Sequence, residues 1–148
     1  MTFFSEVINN LIIKRRKLVI AVDFDGTIVQ NKWPEVGKYR FGAITILRWL
    51  KKRGHTLILY TCREHNGNEW ENHISCPLCQ AIFPLRYDKG ILFDKVNQNC
   101  AELIAKYSDT RKIGADLYID DLGAGFWIWP MIPVIVWFKE RRPKRWNL

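Results

Sequence analysis

Val19-Ile20-Ala21-Val22-Asp23-Phe24-Asp25-Gly26-Thr27 is an apolar run that stops at two carboxylates, a glycine and a hydroxyl. The β-branched stretch from Lys17 to Val22 predicts a strand buried on both faces of a parallel sheet, with Asp23 where that strand emerges. Asp23 and Asp25 are two residues apart, so an extended backbone projects both side chains the same way, and Gly26 frees the turn that follows. Two anions in such a place repel each other unless a cation or a proton lies between them. The stretch reads as a reaction centre, since an ordinary turn gains nothing from that arrangement.

Working outward, two further apolar runs end in chemistry. Thr56 to Tyr60 leads into Thr61, Cys62, Arg63 and Glu64, and Asp116 to Ile119 leads into Asp120 and Asp121. Gly90 to Phe93 predicts another short strand, followed by a polar segment carrying Asn97 and Asn99, which point into a site or serve as turn and cap residues. Val134 to Trp137 is read as a fifth strand. Helices are expected over Ser5 to Lys14, Phe41 to Arg53, Trp70 to Leu85 and Cys100 to Tyr107, with Gly54 a suitable stop for the second. Ile28 to Arg40, with Pro34 and Gly37, is too short for a domain and reads as a flap over the site. Alternating strands and helical crossovers predict an α/β three-layer fold: a Rossmann-like parallel sheet with helices on both faces and a minimal cap or none. In open sheets of this kind ligands bind beyond the carboxyl ends of the strands, where the polar groups collect.

The 148 residues suffice for a single domain that buries about 70% of its unfolded surface. Its core is expected over about residues 17–122, leaving a Trp-rich segment and basic tail at 123–148. The net charge of +8 favours anionic partners, yet much of it sits in Lys14 to Lys17 and in Lys139 to Arg145. Such clusters are more often solubilising flanks than specific sites, which keeps nucleic acid a minor option. Four cysteines, Cys62, Cys76, Cys79 and Cys100, without a signal peptide suit a reducing cytoplasm. Cys76-Pro77-Leu78-Cys79 has the spacing of half a zinc site, with His65 and His73 nearby, but ordinary packing cysteines are the commoner case. Leu122 to Phe138 lacks charge over 17 residues, but its glycines and prolines and its shortness argue against a membrane span.

Asp23, Asp25, Thr61, Lys112, Asp120 and Asp121 together form an inventory suited to phosphoryl transfer. One carboxylate attacks phosphorus, a second moves the proton of the leaving group and of water, a hydroxyl and a lysine hold phosphoryl oxygens, and further carboxylates hold Mg2+. In this respect the chain resembles the haloacid dehalogenase superfamily, in particular small capless hydrolases, and the run from Ala115 to Asp121 is similar to that of deoxyribonucleotidases. Asp23-Phe24-Asp25-Gly26-Thr27 resembles its first motif, Thr61 its second, Lys112 its third and Asp120-Asp121 its fourth. The resemblance implies that Asp23 is nucleophile and Mg2+ ligand, that Asp25 is general acid/base and ligates through its carbonyl, and that Asp120, with Asp121 beside it, completes the metal site. Thr61 and Lys112 then bind the phosphoryl group, with Lys106 and Lys95 as alternatives to Lys112. Gly26, Thr27, Arg63 and Asn97 are the remaining candidates for phosphate or substrate binding, and Arg63 either contacts substrate or pairs with Glu64. Where those relatives often continue the fourth motif with arginine, this chain has Leu122.

The reading is therefore a Mg2+-dependent phosphohydrolase acting through an aspartyl-phosphate on a small phosphomonoester of nucleotide or sugar phosphate type. The alternative is a catalytically weak module of the same fold that binds nucleic acid through its basic flanks or another protein through Trp127 to Trp137.

Overall fold

The computed structural model describes residues 15–65, 76–125 and 127–142. The expected helix over Ser5 to Lys14 lies outside them, as does the first part of the helix expected from Trp70. Four strands form one parallel sheet: β1 (Val19–Val22), β2 (Thr56–Leu59), β3 (Lys95–Val96) and β4 (Leu117–Ile119), in the order β3-β2-β1-β4. β1 lies between β2 and β4, with Val22 in register with Leu59 on one side and Ile119 on the other. This central place explains why its sequence is apolar at every position, because both edges of β1 are paired and Ile20, Ala21 and Val22 are buried.

The helices follow from the strand order. α1 (Ala43–Lys52) and α2 (Pro77–Phe83) lie in the β1-to-β2 and β2-to-β3 crossovers, α3 (Ala101–Tyr107) in the β3-to-β4 crossover, and α4 (Ile132–Glu140) closes the described chain. Successive right-handed crossovers in one direction put their helices on one face, and the return from β3 to β4 puts α3 on the other. The packing follows the pleat. Ile20, Val22, Leu57 and Leu59 join Leu47 and Leu50 of α1, Ala81 of α2, and Ile132 and Val136 of α4 in the main core. The alternate residues Ala21 and Ile58 face the opposite way, onto Ile113 and Ala115 of the return crossover. That second layer is thin, and α3 buries none of its side chains completely.

Two expected strands are corrected. Gly90 to Phe93 is not a strand: Gly90 adopts φ +65°, and Ile91 donates its N–H to the Leu85 carbonyl at the end of a π-helical turn, Pro84–Asp88. The third strand forms two residues later at Lys95–Val96, because Asp94 bonds Leu57 through its backbone N–H and its carboxylate, which sets the register. Val134 to Trp137 is helical, inside α4. Its prolines start the helix instead of breaking it, with Pro130 in a 3-10 turn (Trp129–Met131) and Pro133 in the first turn of α4, where no N–H is needed. Trp129, Ile132 and Val136 are buried in the main core, so this segment belongs to the fold. No helix among the described residues is long and apolar enough to cross a membrane.

The far end of α4 is fastened at the amino edge of the sheet. Glu140 is buried and takes a forked bond from Arg53, with Nη2 2.6 Å from Oε2. His55 accepts the Leu18 N–H at Nδ1, so its proton sits on Nε2, 3.2 Å from Glu140 Oε1 but off the line of a good hydrogen bond. Burial pushes the His55 pKa down from 6.5. Burial would raise Glu140, but the bonds and charge of Arg53, with His55, hold its carboxyl below its ordinary 4.5. Both groups bind protons less readily folded than unfolded, so both contribute stability at neutral pH that is lost on acidification. The contribution of this pair should begin to fall as the pH drops below about 6.5 and continue to fall below about 4.5, read as the difference between wild type and variant because Asp23, raised to about 6, acts in the opposite sense. Urea unfolding of the wild type and of Glu140→Gln across this range checks it, since the variant should lose the more acidic part of the dependence. The basic flanks are partly consumed here too: Arg16 pairs with Asp116 at 2.8 Å, Lys17 bonds the Arg53 carbonyl, and Lys139 bonds the Asp116 carbonyl.

Candidate active site

β1 and β4 are neighbours, yet the connection out of β1 leads away from β4 to β2. This is the switch point of an open sheet, where a crevice forms beyond the carboxyl ends. Asp23 follows β1 and donates its N–H to Ile119 at 2.9 Å, so the end of β1 and the end of β4 are held side by side. Asp120 and Asp121 follow β4. Carboxylate oxygens of Asp23, Asp120 and Asp121 all lie within 4.8 Å of one another, a group of hard donors suited to a divalent cation.

The turn after β1 is wound on one acceptor, the Phe24 carbonyl, which takes the N–H groups of Thr27, Ile28 and Val29. Gly26 stands in it at φ +85°, and a Cβ there would lie 2.2 Å from Asp121 Oδ2. Glycine is therefore required twice over, for the backbone conformation and for the approach of Asp121. The buried Thr27 hydroxyl donates to Asp23 Oδ2 at 2.9 Å and accepts the Asp121 N–H at 2.9 Å, joining the two strand ends through one oxygen. Burial pushes Asp23 up to about 6, against the lowering effect of the Thr27 hydroxyl and the Phe24 backbone, and repulsion from Asp120 and Asp121 adds to the rise. A bound cation would offset that repulsion and the cost of burial together.

Asp25 is directed elsewhere. Its two oxygens accept a forked bond from Arg63, with Nε to Oδ2 and Nη2 to Oδ1 both 2.7 Å. Arg63 is fully buried, lies within cation–π distance of Phe24 and Trp33, and also donates to the carbonyls of Pro34, Glu35 and Pro77. Its partner is thus Asp25, not the adjacent Glu64. The two side chains, expected to project the same way, are partnered differently: Asp23 joins the acidic group, and the Asp25 carboxyl is oriented by arginine, which leaves its carbonyl, the atom expected to ligate metal, out of that pair. Through its three carbonyl contacts Arg63 also holds the flap and the start of α2. The flap itself is a small antiparallel ladder in which Gln30 bonds Lys38 and Arg40 bonds Ile28.

Thr61 is buried, and Asn97 brackets its backbone, donating to the Thr61 carbonyl at 2.7 Å and accepting its N–H at 2.8 Å. Asn97 is a positioning residue for Thr61, and its φ of +48° is one that asparagine tolerates. Asn99 serves the return crossover, accepting the Gly114 N–H. Lys112 is exposed, and its ammonium makes no hydrogen bond or ion pair among the described residues. Lys95 is placed in β3 and Lys106 in α3.

Two residues of the site escape sequence reasoning. The Trp127 indole N–H donates to the Asp120 carbonyl and that of Trp129 to the Thr27 carbonyl, each at 2.9 Å, while the two rings meet edge to face at 5.7 Å. The Trp-rich segment is therefore a buttress under both acidic turns. Its sequence signal was the Trp-x-Trp spacing, which cannot name a carbonyl as the target.

No family model and no curated protein matches the chain. Among solved structures it is similar to a conserved protein from Bacteroides thetaiotaomicron, with 34% identity and a TM-score of 0.68 over 84% of this chain and 93% of the other. That identity, sustained over nearly the whole length of both chains, makes this chain a member of the same family as the conserved Bacteroides thetaiotaomicron protein.

Proposed function

We propose that the chain is a Mg2+-dependent phosphohydrolase that cleaves a small phosphomonoester through an aspartyl-phosphate on Asp23. The observation that carries this reading is the convergence of the Asp23, Asp120 and Asp121 carboxylates within 4.8 Å at the carboxyl ends of adjacent strands, beside a differently partnered Asp25. The oxygen donors suit Mg2+, which when bound supplies charge neutralisation between an anionic nucleophile and an anionic ester.

In this reading Asp25 takes up a proton with the substrate, on a lone pair that Arg63 leaves free. An Asp23 oxygen attacks phosphorus, the bond from phosphorus to the ester oxygen breaks, and the leaving oxygen takes that proton from Asp25. Water then attacks the same phosphorus, Asp25 recovers a proton from it, and inorganic phosphate leaves with Asp23 restored. Arg63 fixes the direction of the Asp25 carboxyl while each of its oxygens keeps a second acceptor position. Thr61, steadied by Asn97, offers a hydroxyl and a backbone turn to the phosphoryl oxygens. Exposed Trp33 on the flap and Leu122 after the acidic pair would offer apolar surface to the rest of the substrate, which suits a nucleotide base or a sugar.

The test is a panel of nucleoside monophosphates, sugar phosphates and an aryl phosphate incubated with the full chain. Phosphate release that appears with Mg2+ and disappears with a chelator is expected for at least one class. An absence of metal-dependent release across the panel would sink the proposal.

A further inference from the structure

Away from the aspartates a second set of metal-competent side chains comes together. A ring nitrogen of His65 and the sulfurs of Cys76 and Cys79 all lie within 4.8 Å of one another. His65 is exposed and ends the described part of the loop after β2, whereas Cys76 and Cys79 are buried at the start of α2. Cys76 precedes the first turn of α2, Pro77 fills the position that needs no N–H, and the Cys79 N–H donates to Cys76 Sγ at 3.2 Å. This bond fixes the Cys76 sulfur over the first turn of α2, and the Cys79 sulfur lies within 4.8 Å of it.

We propose that His65, Cys76 and Cys79 hold a zinc ion that cross-links the loop after β2 to the start of α2. Two thiolates and an imidazole are the borderline-soft set that zinc favours, in contrast to the all-oxygen group of Asp23, Asp120 and Asp121. A Zn–S distance of about 2.3 Å corresponds to a spacing of about 3.8 Å between tetrahedral donors. Donors already within 4.8 Å of one another therefore need side-chain adjustments on the order of 1 Å. A tetrahedral zinc would take one further ligand, such as water. The cross-link also has a defined place in the molecule. Arg63 stands two residues before His65 and donates to the Pro77 carbonyl at 3.3 Å, so the ion would join the two segments that meet at the buried arginine.

The full chain, stripped of metal and kept reduced, is titrated with Co2+ and then with Zn2+. One equivalent of cobalt should produce thiolate-to-metal charge-transfer absorption, zinc should displace it, and zinc should raise the melting temperature. The Cys76→Ser/Cys79→Ser variant should lose the absorption and the thermal shift, His65→Ala should bind zinc more weakly by more than about tenfold, and Asp120→Asn should keep the absorption. Wild-type protein without the absorption, or a double serine variant that retains it, would overturn the proposal. If the double variant does not fold, zinc X-ray absorption on the wild-type complex decides: two sulfur neighbours at about 2.3 Å are expected, and a shell of nitrogen and oxygen alone refutes the site.

Discussion

Exchanging Asp23 for asparagine is expected to lower metal-dependent phosphate release by at least about 10³-fold, with the fold intact. The substitution preserves shape, and the amide oxygen still accepts the Thr27 hydroxyl that Asp23 Oδ2 takes at 2.9 Å. What it removes is the anionic oxygen that bonds to phosphorus and one charged donor to the cation. Because burial and two neighbouring carboxylates push Asp23 up to about 6, losing its charge should leave the apo protein as stable as the wild type or slightly more so. The two readouts are a steady-state assay and urea unfolding without metal. Activity that survives in a folded Asp23→Asn protein would remove Asp23 as nucleophile, and a large loss of stability would mean that its charge is structural.

Replacing Arg63 with alanine is expected to cost about 3–5 kcal/mol of stability and to detach the flap carbonyls that Arg63 holds. The guanidinium is fully buried and forms both bonds to Asp25 at 2.7 Å, so its removal strands a carboxylate that is only 19% exposed. The carbonyls of Pro34, Glu35 and Pro77 lose their donor in the same step. Arg63→Lys should recover little, because an ammonium cannot reproduce the fork to Asp25 while also reaching carbonyls on two other segments. Denaturant midpoints of the two variants measure this, and a loss below about 1 kcal/mol for Arg63→Ala would show that the pair contributes little net stability. Combining Arg63→Ala with Asp25→Asn should cost less than the sum of the single changes, since the second removes the charge that the first leaves unpaired.

Much of the architecture could be read from short stretches because their signals are local. Val19 to Val22 is apolar at every position, as a strand flanked on both edges and both faces must be, and the carboxylates that interrupt it mark where the sheet ends. Thr56 to Leu59 and Leu117 to Ile119 carry a weaker form of it, with Thr56 polar and Tyr118 exposed on the edge strand, and the parallel sheet follows from the helix-length segments between them. The weaker elements were misplaced where one residue type serves two purposes. Pro133 reads as a break in a strand but opens α4, and the apolar run at Gly90 to Phe93 reads as a strand although the pairing is decided by Asp94.

The sequence by itself determined an α/β protein whose strands end in Asp23, Thr61 and Asp120-Asp121, because strand periodicity and the abrupt change from apolar to acidic are properties of consecutive residues. The resemblance already implied that Asp23 shares a site with Asp120 and Asp121, but only the tertiary structure decided which side chains bond to which. It divided the two aspartates of the first turn, giving Asp23 to Asp120 and Asp121 and giving Asp25 to Arg63, and it set Trp127 and Trp129 beneath the acidic turns. The physical reason is that a buried charge takes the partner that the packing brings within hydrogen-bonding distance. For Asp25 that partner lies 38 residues along the chain, and for Thr27 the indole of Trp129 lies 102 residues away, separations at which no local pattern carries information.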